Sequence, residues 1–263
     1  MTTILLSPQD LAISASLIVL DAALSVALRL GLHRQISIAA VRMVVQLVAV
    51  GYLLRFIFAL NNPAATVTIV LVMVLVAGRE VASRPERRFR GQANYMIGAG
   101  SVALATAMTA ILALTTAIRP HPWFDPHYAI PLAGIILGNV LNAASITLDS
   151  VLGGVSREKA SIEARLALGE TYAKAMAPLV RTAIRRGLLP IINQMSAAGI
   201  VTLPGIMTGQ ILAGLDPLEA VKYQILLMFL LSGGSGLSAV TVAYLSAAQL
   251  TDTRERLRLD RLL

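Results

Sequence analysis

Ser156 to Gly187 reads SREKASIEARLALGETYAKAMAPLVRTAIRRG and forms the longest polar island in a chain that is otherwise almost continuously apolar. At helical spacing Ile162, Leu166, Gly169, Ala173, Met176, Val180 and Ile184 share one face, while Lys159, Glu163, Glu170, Lys174, Arg181 and Arg185 share another. The island is therefore an amphipathic helical segment. Lys159 and Glu163, and Glu170 and Lys174, stand four apart, so the polar face carries its own ion pairs, each worth about 0.2–0.5 kcal/mol. Gly169 loosens the helix, and Pro178, lacking an amide hydrogen, is expected to break it near Ala177. Two or three short helical pieces result. Pattern alone allows such a segment to lie in a membrane interface or to serve as a solvated connector.

Working outward, the flanks decide the class. Hydrophobic residues make up 56% of the chain, charged residues 14%, and mean hydropathy is +0.74, values a soluble domain could carry only by exposing large apolar surfaces. The fold class is all-α and polytopic. At roughly 20 residues per span plus connections, 263 residues make one membrane domain, 1–263, of about seven transmembrane helices, with a cytoplasmic segment over about 154–187. The chain has no Cys, which removes disulfides, thiolate metal sites and a cysteine nucleophile.

In chain order the first span is Leu11 to Leu32, with Asp21 near its middle; only Pro8, Gln9 and Asp10 precede it closely, so the basic head of a signal peptide is missing. The second, Ile36 to Leu60, contains Arg42 and Gln46, and Asn61-Asn62-Pro63 makes a turn. The third, Ala64 to Ser83, ends in Arg79-Glu80 and runs into a loop with Arg84, Arg87, Arg88 and Arg90. Arg42 and Glu80 come to similar depth in antiparallel neighbours, which predicts that they pair, with Asp21 meeting Gln46 deeper in. The alternative is that Arg42 snorkels to lipid phosphates.

The fourth span, Tyr95 to Ile118, leads into RPHPWFDPHY, Arg119 to Tyr128, whose Trp123, Phe124 and Tyr128 suit a membrane interface. His121, Asp125 and His127 form a loose metal-ligand cluster without a fourth ligand nearby. The fifth span, Ala129 to Leu152, carries Gly134 and Gly138 in G-x-x-x-G spacing, then Asn139 and Asn142; small residues allow close helix approach, within one subunit or between two. After the island, Leu188 to Gly214 is a span interrupted by Pro190, Gly199, Pro204, Gly205 and Gly209, tolerable only where freed backbone groups face protein or water. The last span, Leu218 to Ala248, is interrupted by Ser232-Gly233-Gly234-Ser235-Gly236, and a basic tail follows. Asn139, Asn142, Asn193, Gln194, Thr202 and Gln210 should avoid lipid and mark a translocation pathway at the bundle interior or a dimer seam, or else bond helix to helix. Met207 joins them as a soft ligand candidate, with Met73 and Met195, although packing is the commoner use of Met.

Most of the 22 Lys and Arg residues fall on one side: Arg29, Arg34, the loop after the third span, the island and the tail. By the positive-inside rule the island and the C-terminal tail are cytoplasmic and the N-terminus is outside. The net charge of +8 then reflects topology and anionic lipid, and nucleic acid is not a partner.

Within the island, Glu163-Ala164-Arg165-Leu166-Ala167-Leu168-Gly169 resembles the Glu-Ala-Ala-x-x-x-Gly loop of ABC transporter permeases, with Arg165 in place of the second Ala and Leu189-Pro190 farther from Gly169 than that pattern has it. The run from Glu163 to Ile225, with Ile130 to Asp149 upstream, is similar to the FetB-type permease family. That resemblance implies a half-transporter that works as a homodimer in the cell inner membrane with a separate ATPase, in a family implicated in bacterial iron export and plant aluminium tolerance. It also implies that Glu163, Ala164, Arg165 and Gly169 contact the ATPase. The residues agree on one absence: no G-x-x-x-x-G-K-[ST] loop occurs, so ATP would act through a partner, and no cofactor is indicated. An enzyme lacks its motifs here, since neither H-E-x-x-H nor G-x-S-x-G occurs. An ion-coupled secondary transporter or channel is the alternative, suited by the broken helix and by Asp21, Arg42, Glu80 and Asp149; no internal repeat supports it.

Overall fold

The computed structural model describes residues 7–60, 62–118, 122 and 125–263, and the regular elements among them are helices: α1 (Pro8–Ala27), α2 (His33–Leu60), α3 (Pro63–Ser83), α4 (Ala93–Leu112), α5 (Pro126–Arg157), α6 (Lys159–Ala167), α7 (Tyr172–Ala197), α8 (Gly205–Leu212) and α9 (Pro217–Gln249). A π-helical turn, Ala113–Ile118, extends α4, and one 3-10 turn, Leu259–Arg261, lies in the tail. Six helices among the described residues are long and apolar enough to cross a membrane: α1, α2, α3, α4 with its π-turn, α5 and α9. The protein is a polytopic helical membrane protein. It divides into two compact units, one built on α1 and α2, the other on α3 to α7, α9 and all but the last residue of α8.

In the first unit Ser7 and Asp10 form a capping box at the start of α1, Asp10 N donating to Ser7 Oγ at 3.3 Å and Ser7 N to Asp10 Oδ2 at 2.8 Å. The helix stops at Ala27, short of the expected Leu32, because Arg29 (φ 53°) and Gly31 (φ 72°) turn left-handed. The Leu30 amide donates to Ser25 O at 2.9 Å and the Leu32 amide to Ser25 Oγ at 2.9 Å, closing the turn into α2.

In the second unit α5 and α9 sit at the centre, and α3, α4 and α7 pack around them. Ile136, Val140, Leu148 and Leu152 of α5, Val242 of α9, Val102 of α4, Val81 of α3 and Met176 of α7 are fully or almost fully buried in one cluster. Close helix approach depends on Gly187 of α7, where an added Cβ would strike the Thr147 hydroxyl and lie 3.0 Å from Ala143 O of α5. The expected interruption at Ser232–Gly236 is absent. This segment runs inside the continuous α9, with Gly234 and Ser235 buried and Gly234 facing Thr109 and Val140, because small residues here admit neighbouring helices rather than break the chain.

The polar island is two helices, α6 and α7. The break expected near Ala177 does not occur, and α7 passes through Pro178 and Pro190. Ala175, Met176, Leu179, Val180 and Ala183 are buried around Pro178, and that packing outweighs one lost backbone bond. The sixth expected span, Leu188 to Gly214, is not a single helix. After Ala197 the chain makes a tight turn, Gly199 (φ 85°) donating to Thr202 O at 2.9 Å and Val201 N to Ala197 O at 3.0 Å, before α8 begins.

Candidate functional site

The elbow joining α5 to α7 is built with little freedom. Glu158 N donates to Gly154 O at 2.9 Å and Ile162 N to Glu158 O at 3.0 Å, so only Glu158 separates α6 from the end of α5. At its far end Gly169 is left-handed (φ 90°), with Gly169 N on Leu166 O at 3.0 Å and Glu170 N on Arg165 O at 3.1 Å. That pair of bonds is a Schellman closure, which needs the conformation that glycine adopts without strain. Only Ile162 of α6 is buried, whereas Glu163 and Ala164 are exposed and Leu168 is 86% exposed. Arg165 reaches back, its Nε 3.9 Å from Glu170 Oε2 and a guanidinium nitrogen donating to Ala175 O at 3.4 Å. The substituted third position thus ties α6 to α7. Lys159 and Glu163 are 3.8 Å apart, as the spacing predicts. The expected Glu170–Lys174 pair does not form, because Glu170 lies in the turn between helices, where four-residue spacing no longer aligns side chains.

The C-terminal tail braces this elbow. Thr171 caps α7 without a side-chain bond, and Tyr172 N donates instead to Glu255 Oε2 at 2.6 Å. Tyr172 Oη donates to Ala247 O at 2.8 Å, and burial pushes its phenol well above the usual range. Arg90 N donates to Arg261 O at 2.8 Å and Leu263 N to Arg88 O at 2.7 Å, so the tail pairs with the loop between α3 and α4. Within the tail, Arg256 holds the Asp252 carboxyl far below its ordinary value, and Arg258 holds that of Asp260 down at about 2.

The same loop grips α5. Arg84 donates to Asn142 Oδ1 at 3.0 Å, Glu86 N to Asp149 Oδ1 at 3.2 Å, and Glu80 lies 3.7 Å from Arg84. Buried Asn94 pins the loop, accepting from Phe89 N at 3.1 Å and donating to Ala82 O at 3.4 Å. Neither Asn94 nor this loop–α5 seam was foreseeable from spacing, since the partners are far apart in sequence; the polar side chain inside an apolar run was the only signal.

Of the expected pathway residues, Asn142, Asn193, Gln194 and Thr202 are exposed on the single chain and Asn139, Met207 and Gln210 half-buried. Asn139 donates to its own helix at Ile135 O, 3.2 Å, and Thr202 Oγ1 to Ala197 O, 3.3 Å. A cavity of about 520 Å³ lies where α7, the turn after it, α8 and α9 meet, lined by Met195, Leu203, Met207, Gln224, Met228 and Phe229. Gln224 is 7% exposed, and its Oε1 has no hydrogen-bond partner among the described residues.

Asp21, Arg42 and Gln46 lie exposed in the first unit, and Glu80 belongs to the second. The expected Asp21–Gln46 contact does not form: each side chain stands exposed on its own helix, and among the described residues neither has a hydrogen-bond partner. Asp125 caps α5, accepting from His127 N at 2.9 Å with His127 Nδ1 also at 2.9 Å, and these contacts lower its carboxyl below the ordinary range. Among the described residues no three His, Asp or Glu side chains gather to hold a metal. His121, Trp123 and Phe124 lie outside the described residues.

A bundle of membrane-crossing helices with a short exposed helix slung between two of its long members is a polytopic membrane protein. The chain belongs to the UPF0014 family, described as "Uncharacterised protein family (UPF0014)", whose model matches residues 8–251. It is 38% identical over 213 residues to "UPF0014 membrane protein slr1647" of Synechocystis sp. (strain ATCC 27184 / PCC 6803 / Kazusa), covering 81% of this chain and 82% of that protein. It is 32% identical over 251 residues to "Probable iron export permease protein FetB" of Escherichia coli (strain K12), covering 95% and 94%. To "Protein ALUMINUM SENSITIVE 3" of Arabidopsis thaliana it is 32% identical over 228 residues, covering 87% and 81%. No solved structure matches.

Proposed function

We propose that the chain is the membrane-spanning permease subunit of an ABC-type transporter, working as a pair of copies and driven by a separate ATPase that docks on α6. The observation that carries this reading is the elbow itself: Glu163, Ala164 and Leu168 are exposed on a helix whose ends are locked to α5 and α7. A helix that presents an exposed leucine at its end and an exposed carboxylate along its length suits a groove that takes one apolar anchor and one charge. Force applied there would pass into α5 and α7, which pack in the core. In this reading α6 and the tail are cytoplasmic, and the apolar half of α7, the turn after it and α8 form an interrupted span, sixth in chain order, that brings the total to seven. Asn142, Asn193, Gln194, Thr202 and the cavity around Met207 then face the pathway or the second copy. The cargo is a metal ion, with iron export suggested by the name of the Escherichia coli relative.

The test is binding and stimulation of an ABC-type ATPase from the same cell by purified full-length permease. Leu168→Ala and Glu163→Lys should each weaken association at least about tenfold while the permease stays folded, because both side chains are exposed. Unchanged binding and unchanged ATP hydrolysis in both variants would make α6 an ordinary interfacial helix.

A further inference from the structure

Three of the chain's nine methionines, Met195 near the end of α7, Met207 on α8 and Met228 on α9, line the cavity of about 520 Å³ where those helices meet. On α9 the lining residues Val221, Gln224, Ile225 and Met228 recur at three and four residues, so Gln224 and Met228 stand one turn apart on a single face. Met195 is level with Gln224. Tyr172 Oη bonds to Ala247 O, Met195 lies 23 residues beyond Tyr172 along α7, and Gln224 lies 23 residues before Ala247 along α9, each about 35 Å at 1.5 Å per residue. Among the described residues, no charged side chain lines the cavity. Gln224 is 7% exposed, and its carboxamide oxygen has no hydrogen-bond partner among the described residues, which costs free energy until a donor or a cation meets it.

We propose that this cavity binds a soft monovalent cation, Cu(I) or Ag(I), through the thioethers of Met195, Met207 and Met228, with the Gln224 oxygen as a fourth neighbour. Thioether sulfur selects soft ions such as Cu(I), whereas Mg²⁺, Ca²⁺ and Mn²⁺ prefer carboxylate, carbonyl and water oxygen. All four groups are neutral, and the cost of desolvating an ion rises with the square of its charge, so the lining suits one positive charge better than two or three. Met is unbranched and turns about three bonds, so sulfurs on facing walls can swing to a common point. The terminal torsion of Gln is soft enough to bring its oxygen round to the same ion. None of these ligands must lose a proton, so binding should lack the pH dependence of a His or thiolate site. Treating the ion as cargo rests on the permease reading and names its class; binding itself needs no ATPase and no residue of α6.

The probe is Ag(I), titrated calorimetrically into the full chain in detergent, in a buffer free of chloride and thiols, at about pH 5 and about pH 7, the range in which His changes charge. Ag(I) should bind with the same affinity at both. Met207→Leu and Met228→Leu, which keep side-chain volume, should each lower affinity at least about tenfold, the loss that even an outer-shell partner causes. Met96→Leu, at a methionine 65% exposed on α4, should leave it unchanged, and an excess of Mn²⁺ should not displace the ion. Absence of binding, affinity unaltered in Met207→Leu and Met228→Leu, an equal loss in Met96→Leu, displacement by Mn²⁺, or weaker binding at the lower pH overturns the proposal. Should buried Met228→Leu fail to fold, Met207→Leu decides alone, since no residue of α8 is buried. Stimulation of an ATPase by a permease that binds no Ag(I) would overturn this inference and leave the permease reading standing; Ag(I) binding without stimulation would do the reverse.

Discussion

Glu255 holds a backbone conformation (φ 53°) that side-chain-bearing residues rarely adopt, and its carboxylate accepts from Tyr172 N at the start of α7. A left-handed residue costs about 1–2 kcal/mol, and a helix cap returns typically about 1 kcal/mol. Strain and cap can therefore be separated by substitution. Glu255→Gly should remove both, whereas Glu255→Ala keeps the strain and loses the cap, making amide exchange in the first turn of α7 roughly fivefold faster; equal exchange in wild type and Glu255→Ala would mean that the bond contributes nothing. The neighbouring carboxylates give a pH dependence with a definite sign. Asp260 falls from its ordinary 3.8 to about 2 beside Arg258, and Asp252 is lowered further by Arg256. A depressed folded value means the contribution is complete above about pH 4 and is lost as pH falls through about 2. Exchange protection of the tail should thus be flat from neutral pH to about 4 and decline below it.

At the scale of elements, the crossing of α5 and α7 depends on Gly187, because a Cβ would meet Thr147 and Ala143 O, whereas Gly138 on α5 has open space around it. Gly187→Val should lower detergent stability by about 1–3 kcal/mol or more through overpacking, read as a drop in melting temperature, while Gly138→Val should leave the isolated chain unchanged. The contrast shows what was legible in sequence. Gly134 and Gly138 are equivalent in a spacing motif, yet only Gly134 meets a neighbour, Met73 Cε, at 3.3 Å. Helix spans were legible because apolar runs of that length have one use in a bilayer, and the Lys159–Glu163 pair was legible because it is local. Breaks at Pro178 and at Ser232–Gly236 were misread because local propensity was weighed without the packing that overrides it. The role of Arg165 was hidden, since it depends on a turn placing Glu170 and Ala175 within its reach.

For the molecule as a whole, polar side chains left exposed along helices that the proposed permease would place in the membrane need cover. Asn193 and Gln194 on α7 are exposed on one chain, and Gly138 and Asn142 are exposed along α5. Asn142 is already paired with Arg84, but in hydrocarbon an unpaired amide such as that of Asn193 or Gln194 costs several kcal/mol, so a second copy should shield part of this surface. Gly138→Trp should convert a two-copy detergent complex into single chains, measured by light scattering; two copies persisting would place the seam elsewhere. Arg88 and Arg90 bond to Leu263 and Arg261, so the loop after α3 is synthesised long before its strand-like partner. At about 5–20 residues per second, roughly ten to thirty seconds separate the two. Through that interval the loop's backbone groups are open to water or to a chaperone, and the seam joining the loop after α3 to the tail can close only after α4, α5, α7 and α9 have been synthesised.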